Sequence, residues 1–294
     1  MQGTLEQSQC LICQKATQPK ELLSFAKCFP QESYKIVECP FCSTKRTWPP
    51  TENVRALYQS NAWMDRPPKS LFYFLKGFLI RHEIRRICRH TGLKEILDLG
   101  AGFGDFSANA HRLGCSVVSS DASSARPYYI SSLKDIPYVH FNYEDYTIEE
   151  PRVVRKRVIV LRHVLEHIER PKDFLSQLKS YQPEFFYIVV PNFNRFEKNV
   201  FKEFDILWGM PQHLWHFDKR SLTFLLTELG LKIVATGYET IPVAMPSILN
   251  YLNRRKYPEF IRRFLGHNVI FYGLSLLLSI VFPHNVIWMI AKVE

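Results

Sequence analysis

The stretch Ile96-Leu97-Asp98-Leu99-Gly100-Ala101-Gly102-Phe103-Gly104 decides the fold of this chain. An apolar run carries a single acid, Asp98, and is followed by glycines at positions 100, 102 and 104. The run has the composition of a buried strand. The glycines form a tight turn free of side chains, and Asp105–Leu113 reads as the helix that the turn opens. Such a turn lets a ligand lie directly on backbone amides at a helix N-terminus. Spacing excludes two ligand classes. A dinucleotide fingerprint needs glycine at its sixth position, where this chain has Asp105. A phosphate loop needs a Gly-Lys-Ser/Thr ending, and none follows.

Strands and helices alternate outward from this turn, as in a parallel α/β sheet. The pattern predicts a helix over Leu71–His90, stopped by Thr91-Gly92. Strands are expected over Glu95–Leu99, Cys115–Ser120, Tyr138–Asn142, Arg157–Leu161, Phe185–Val190, Leu231–Tyr238 and Val286–Val293. Helices are expected over Lys172–Ser180 and Ser221–Leu229, the latter stopped by Gly230. Between 192 and 218 the chain is irregular and rich in aromatic residues.

A chain of 294 residues buries one full core and carries a small accessory module. At 46% hydrophobic and 22% charged it lies far from the disordered class. Its net charge of +10 favours anionic neighbours without choosing among nucleic acid, phosphorylated metabolites and an anionic membrane surface. Met1–Gln9 has neither a basic nor an apolar run, which leads to the expectation of a cytoplasmic protein with free thiols. Four of the seven cysteines form two Cys-x-x-Cys pairs, Cys10–Cys13 and Cys39–Cys42, with 25 residues between them. Each pair resembles a zinc knuckle, and two knuckles complete a four-thiolate site, structural because no coordination position is left over. The first 50 residues therefore read as a zinc ribbon, stabilised by Zn2+ because so small a module lacks a sufficient core.

The glycine turn resembles motif I of the class I S-adenosylmethionine-dependent methyltransferases. That resemblance implies an α/β, Rossmann-like fold with a seven-stranded, mainly parallel sheet whose last strand is antiparallel. It implies S-adenosylmethionine as cofactor, held by Asp98, Gly100, Ala101, Gly102 and Gly104. Asp121, 17 residues beyond Gly104 at the end of the second strand, takes the position that binds the ribose hydroxyls, with Ala122 beside it. Glu144 or Asp145 stands where the family contacts adenine. Leu161-Arg162-His163-Val164-Leu165-Glu166-His167 resembles the segment after the family's fourth strand. By that likeness Arg162 and His163 flank the methionine moiety, and Glu166 and His167 shape the loop. The family's aspartate before the fourth strand is replaced here by Arg155-Lys156-Arg157.

Gly209–Asp218, followed by Ser221-Leu222, resembles a stretch found in methyltransferases that act on sugars and related metabolites. Its histidines are candidate bases for the acceptor's proton, His213 first and His216 second. Trp208, Trp215, Phe193 and Phe196 either wall an acceptor pocket or belong to the core. The expected organisation is a zinc ribbon over 1–50, a linker and helical lead-in over 51–92, the cofactor domain over 93–240, and a C-terminal helix and strand over 241–294. In the last part, basic residues at 254–256 and 262–263 precede the apolar run Val269–Phe282, which suits either a core helix or peripheral membrane contact. The leading expectation is methylation of a sugar-like small molecule. A zinc-ribbon RNA methyltransferase ranks second, since no Asn-Pro-Pro-Tyr motif is present and the basic residues are scattered. A non-catalytic interaction protein on the same fold ranks third.

Overall fold

The computed structural model describes residues 8–25, 34–50, 71–123, 135–241, 247–248, 277–278 and 284–294. Short strands open the chain: β1 (Ser8–Gln9) pairs with β2 (Ala16–Thr17), and β3 (Lys20–Ser24), β4 (Lys35–Glu38) and β5 (Lys45–Trp48) form an antiparallel meander. Helix α1 (Leu71–Thr91) leads into β6 (Glu95–Leu99), α2 (Asp105–Arg112), β7 (Ser116–Asp121), β8 (Tyr138–Asn142), β9 (Thr147–Ile148) and β10 (Val158–Arg162). Then come α3 (Pro171–Ser180), β11 (Phe185–Pro191), α4 (Glu197–Phe201), β12 (Trp215–His216), α5 (Lys219–Glu228), β13 (Leu231–Glu239) and β14 (Val286–Val293).

The main sheet has the order β13-β14-β11-β10-β6-β7-β8-β9. Strands β11, β10, β6, β7 and β8 run parallel, and β14 inserts antiparallel between β11 and β13. The sheet has eight strands where seven were expected, because β9 pairs antiparallel with the end of β8. The Asn142 and Asp145 side chains accept from the amides of Glu144 and Thr147, and Tyr146 takes φ 59°. These contacts reverse the chain within a few residues and set Phe141 against Ile148.

Burial follows the two-residue period of a strand covered on both faces. Leu97, Leu99, Ile159, Leu161, Phe186 and Ile188 meet Phe174, Leu178, Leu222 and Leu226 of α3 and α5. Ile96, Val158, Val160 and Val189 face the other way, onto Ile80, Ile84 and Ile87 of α1 and Phe106 of α2. Pro171 opens α3 at its first turn, and Asp218 caps α5 through a reciprocal capping box with Ser221.

The amino-terminal region is not self-contained. Its meander gains a fourth strand, β12, which comes from the irregular stretch after β11 and pairs with β5. Cys10, Ile12, Cys39 and Cys42 share one continuous core with the α3 and α5 face of the main sheet. Lys45 reaches the α5 cap Asp218 at 2.7 Å, and the Thr47 amide donates to the Leu214 carbonyl at 2.9 Å. A segment this short buries too little apolar surface alone, so it leans on the larger domain. The apolar run Val269–Phe282 lies outside the described residues except for Leu277 and Leu278. Among the described residues no helix is long and apolar enough to cross a membrane.

Candidate active site

The glycine turn is pinned to the carboxyl end of β7. The amides of Gly100 and Ala101 both donate to the Ser120 carbonyl, at 2.8 and 3.1 Å. The Gly102 amide donates to Asp121 Oδ2 at 2.9 Å, and Asp121 Oδ1 accepts from the Ser123 amide at 3.2 Å. Gly104, at φ 77°, is the cap from which α2 starts. Two of the glycines are needed for different reasons. At Gly100 (φ 80°) a Cβ would sit 2.4 Å from Val164 Cγ2, so the absent side chain is what lets the segment after β10 touch the turn. At Gly102 (φ 53°) no heavy atom among the described residues lies within 4 Å of where a Cβ would project, so this face of the backbone is open.

Asp98 lies beneath the turn, buried, accepting from Ser107 Oγ at 2.6 Å. Burial raises its carboxyl to about 7, an effect that the Ser107 bond and the Arg162 charge only partly offset. Ala122 is exposed beside Asp121, and Glu144 is exposed beyond β8. Arg162 ends β10 with Nε 3.0 Å from Glu83 of α1, and its guanidinium lies over the Phe106 ring. Burial holds Glu83 above the usual carboxylate range despite that partner.

His163 follows at φ 55°, an unfavourable conformation for a residue with a Cβ, and its amide donates to the Val189 carbonyl at 2.9 Å. Leu165–His167 then makes one tight turn. Tyr143 Oη donates to the His167 carbonyl at 2.7 Å, and the Leu214 amide donates to the Glu166 carbonyl at 2.8 Å. His213 packs edge-on to His167, with ring centroids 4.6 Å apart. Gly209 makes room for it, since a Cβ there would lie 2.4 Å from the imidazole. Burial, reinforced by the neighbouring histidines, pushes His213 well below the ordinary histidine range.

The two candidate histidines separate. His213 stands against the segment that touches the glycine turn. His216 is built into β12, buried, with Nε2 3.0 Å from Thr47 Oγ1, and burial lowers it to about 3. Trp208, Trp215 and Phe193 are core residues, while Phe196 is 54% exposed. The sequence motifs contain Val164 and Gly209 without assigning either a role, and they do not include Thr47, whose hydroxyl donates to the His213 carbonyl at 2.6 Å. Gly209 was the one available signal, a glycine just before a histidine-rich loop.

The four cysteines converge, with one sulfur from each within 4.8 Å of the others. Cys10 Sγ lies 3.7 Å from Cys42 Sγ, and Cys13 Sγ lies 3.8 Å from Cys39 Sγ. A tetrahedron of sulfurs about 2.3 Å from a zinc ion has edges of about 3.8 Å.

Comparison with known proteins places these features in a family. Residues 62–236 match a family described as a methyltransferase domain. The mitochondrial ubiquinone biosynthesis O-methyltransferase of Schizosaccharomyces pombe is 34% identical over 96 residues, covering 29% of this chain. The match takes in 32% of that relative, about a third of its length. Phosphoethanolamine N-methyltransferase 2 of Haemonchus contortus, solved with S-adenosyl-L-methionine, has a similar fold at TM-score 0.50 and 15% identity, over 84% of this chain and 62% of that one. A Burkholderia thailandensis 1,6-didemethyltoxoflavin-N1-methyltransferase is similar at TM-score 0.49 and 15% identity, over 90% of this chain and 96% of that one.

Proposed function

The chain belongs to the methyltransferase-domain family, and from that premise we propose that it is an S-adenosylmethionine-dependent methyltransferase acting on the hydroxyl of a sugar or related small metabolite. The observation that carries the cofactor reading is Asp121 docked on the Gly102 amide at 2.9 Å, beside a glycine turn whose outer face is open. A carboxylate at the end of the second parallel strand, at the mouth of an open α/β sheet, suits a ribose diol. Gly102 lets the ligand lie on the backbone, and the turn's amides are already engaged by Ser120 and Asp121, which fixes its shape before the ligand arrives. Asp98 supports the turn from below. Arg162 ties the end of β10 to α1 through Glu83.

When bound, the cofactor supplies a methyl group already activated on a sulfonium, so the protein's work is alignment and removal of the acceptor's proton. Val164 against Gly100 brings the 163–167 segment, and with it His213, next to the cofactor turn. His213 is assigned the role of base on its place beside that segment. His216, with its ring held by Thr47, positions the loop. The four cysteines hold a structural zinc whose spacing they already match. The zinc ribbon then acts on the site through β5, since Thr47 fixes the backbone at Leu214 and His213. Mass spectrometry of the protein with methyl-labelled cofactor and fractionated polar extracts tests the acceptor assignment. Label in a hydroxylated small molecule supports it, and label confined to RNA overturns it.

A further inference from the structure

Three side chains outside the cofactor reading converge beside the glycine turn. Glu166, His167 and His213 each present one ligand atom, and these atoms lie within 4.8 Å of one another. We propose that they form a site for a divalent transition-metal ion, distinct from the four cysteines, which takes an oxygen of the methyl acceptor as a further ligand.

Glu166 is the strongest reason. It is 1% exposed, and neither of its carboxylate oxygens has a hydrogen-bond partner among the described residues. The imidazole of His163 comes near, but Nδ1 stands 3.4 Å from Oε1, outside the ordinary range of about 2.7–3.2 Å. Buried polar groups in native proteins are satisfied, and a carboxylate is the most costly group to leave alone. A cation bound within reach of both oxygens removes that cost.

The donor set and its support agree with this. Two imidazoles and a carboxylate are a set used for zinc and for non-haem iron, and three protein ligands leave coordination positions open. The ligands are oriented from behind, as metal ligands are. His167 Nδ1 is 3.1 Å from the Gln212 carbonyl, which puts the lone pair on Nε2 when Nδ1 donates. Gly209 packs on the His213 ring, and the Leu214 amide ties the two ligand segments together through the Glu166 carbonyl. One carboxylate and two neutral imidazoles carry a single negative charge, so a dication leaves a positive centre that attracts an oxygen donor. Ligation to a dication also lowers the pKa of a hydroxyl. With the ion bound, His213 is a ligand, and its direct role as base applies to the metal-free protein.

The place of the site matters as much as its chemistry. Glu166 lies two residues from Val164, which touches Gly100 of the cofactor turn. The ion site itself stands on geometry, and the statement about the acceptor rests on the methyltransferase reading above.

The test uses the full chain and manganese alone, followed by electron paramagnetic resonance. Mn2+ prefers oxygen and nitrogen donors, so the four-thiolate site does not compete for it. Saturable binding of one Mn2+ per chain is expected, weakened at least about tenfold in Glu166→Gln and in His213→Asn. S-adenosylhomocysteine titrated into the same preparations reports whether they are folded. Wild-type protein should also show spin-echo modulation from histidine nitrogen coupled to Mn2+, a readout that needs no variant. Absence of saturable binding, binding that both variants retain, or a bound ion without nitrogen coupling overturns the site. Wild-type protein that binds Mn2+ as described but no S-adenosylhomocysteine leaves the ion site standing and removes the methyltransferase reading.

Discussion

Replacing Gly102 with alanine separates ligand binding from folding, and comparison with Gly100→Ala shows how. Both glycines have positive φ, 53° at Gly102 and 80° at Gly100, so each alanine carries a backbone cost of about 1–2 kcal/mol. At Gly102 that is the whole structural cost, because among the described residues nothing lies within 4 Å of the new methyl. For a chain of 294 residues, about 1–2 kcal/mol corresponds to a fall in Tm of about 2–3 °C. At Gly100 the methyl would sit 2.4 Å from Val164 Cγ2, whereas carbon atoms pack at about 3.5–4.0 Å. Val164 must retreat by more than about 1 Å, and such overpacking adds about 1–3 kcal/mol. Gly100→Ala should therefore lose about 2–5 kcal/mol and displace the 163–167 segment. If S-adenosylmethionine lies on the open face of the turn, the Gly102→Ala methyl occupies part of its place. The expected result is a drop in S-adenosylhomocysteine affinity of at least about tenfold, or about 1.4 kcal/mol, with only a small fall in Tm. Titration calorimetry and thermal unfolding on the same samples measure both. A Gly102→Ala protein that binds S-adenosylhomocysteine as tightly as wild type refutes the placement of the ligand.

Three other outcomes follow from the geometry. His213→Ala should slow methyl transfer by about 10²-fold or more while S-adenosylhomocysteine affinity stays within about threefold of wild type; turnover at the wild-type rate would place proton removal elsewhere. Asp98 is held at about 7 against an ordinary 3.8, so the native state keeps a proton that the unfolded chain releases. Its stabilising effect is full below about pH 4 and is lost as pH rises toward 7, at about 1.4 kcal/mol per pH unit or about 4 kcal/mol in all. Asp98→Asn should flatten stability against pH over that window in denaturant titrations, and parallel curves for the two proteins would exclude a buried, protonated Asp98. Chelation of zinc, or Cys42→Ser, should remove one zinc per chain and lower Tm, because the cysteines share a core with α3 and α5. Protein that contains no zinc as purified and keeps its Tm in chelator would count against a metal-held ribbon.

The parts of this molecule legible in its sequence are those set by short-range chemistry. A Cβ-free turn after an apolar run has few folded outcomes, and β6, the glycine turn and α2 lie where residues 95–113 place them. Strands buried on both faces announce themselves as unbroken apolar runs, as at β10 and β11. What stayed hidden depends on contacts between distant residues. β12 is only two residues long, and its strand character comes from pairing with β5 about 170 positions earlier. The Glu83–Arg162 pair and the convergence of His213 on Glu166 and His167 likewise join segments dozens of residues apart. Trp208, Trp215 and Phe193 have the composition of a pocket wall, yet the core shared by the amino-terminal strands and the main sheet claims them. The extra strand β9 arises from Asx-type turn contacts at Asn142 and Asp145, in a segment whose acids read in the sequence only as candidate adenine contacts.

The central claim is that the turn at Gly100–Gly104 and Asp121 together form an S-adenosylmethionine site. Calorimetric titration of S-adenosylhomocysteine into wild-type protein and Asp121→Ala tests it most directly. Saturable wild-type binding, weakened by at least about tenfold in Asp121→Ala, is the expected result, since a hydrogen bond to a charged group contributes about 1.5–3 kcal/mol. Wild-type protein that binds no S-adenosylhomocysteine, or a variant that binds it equally well, would contradict the account.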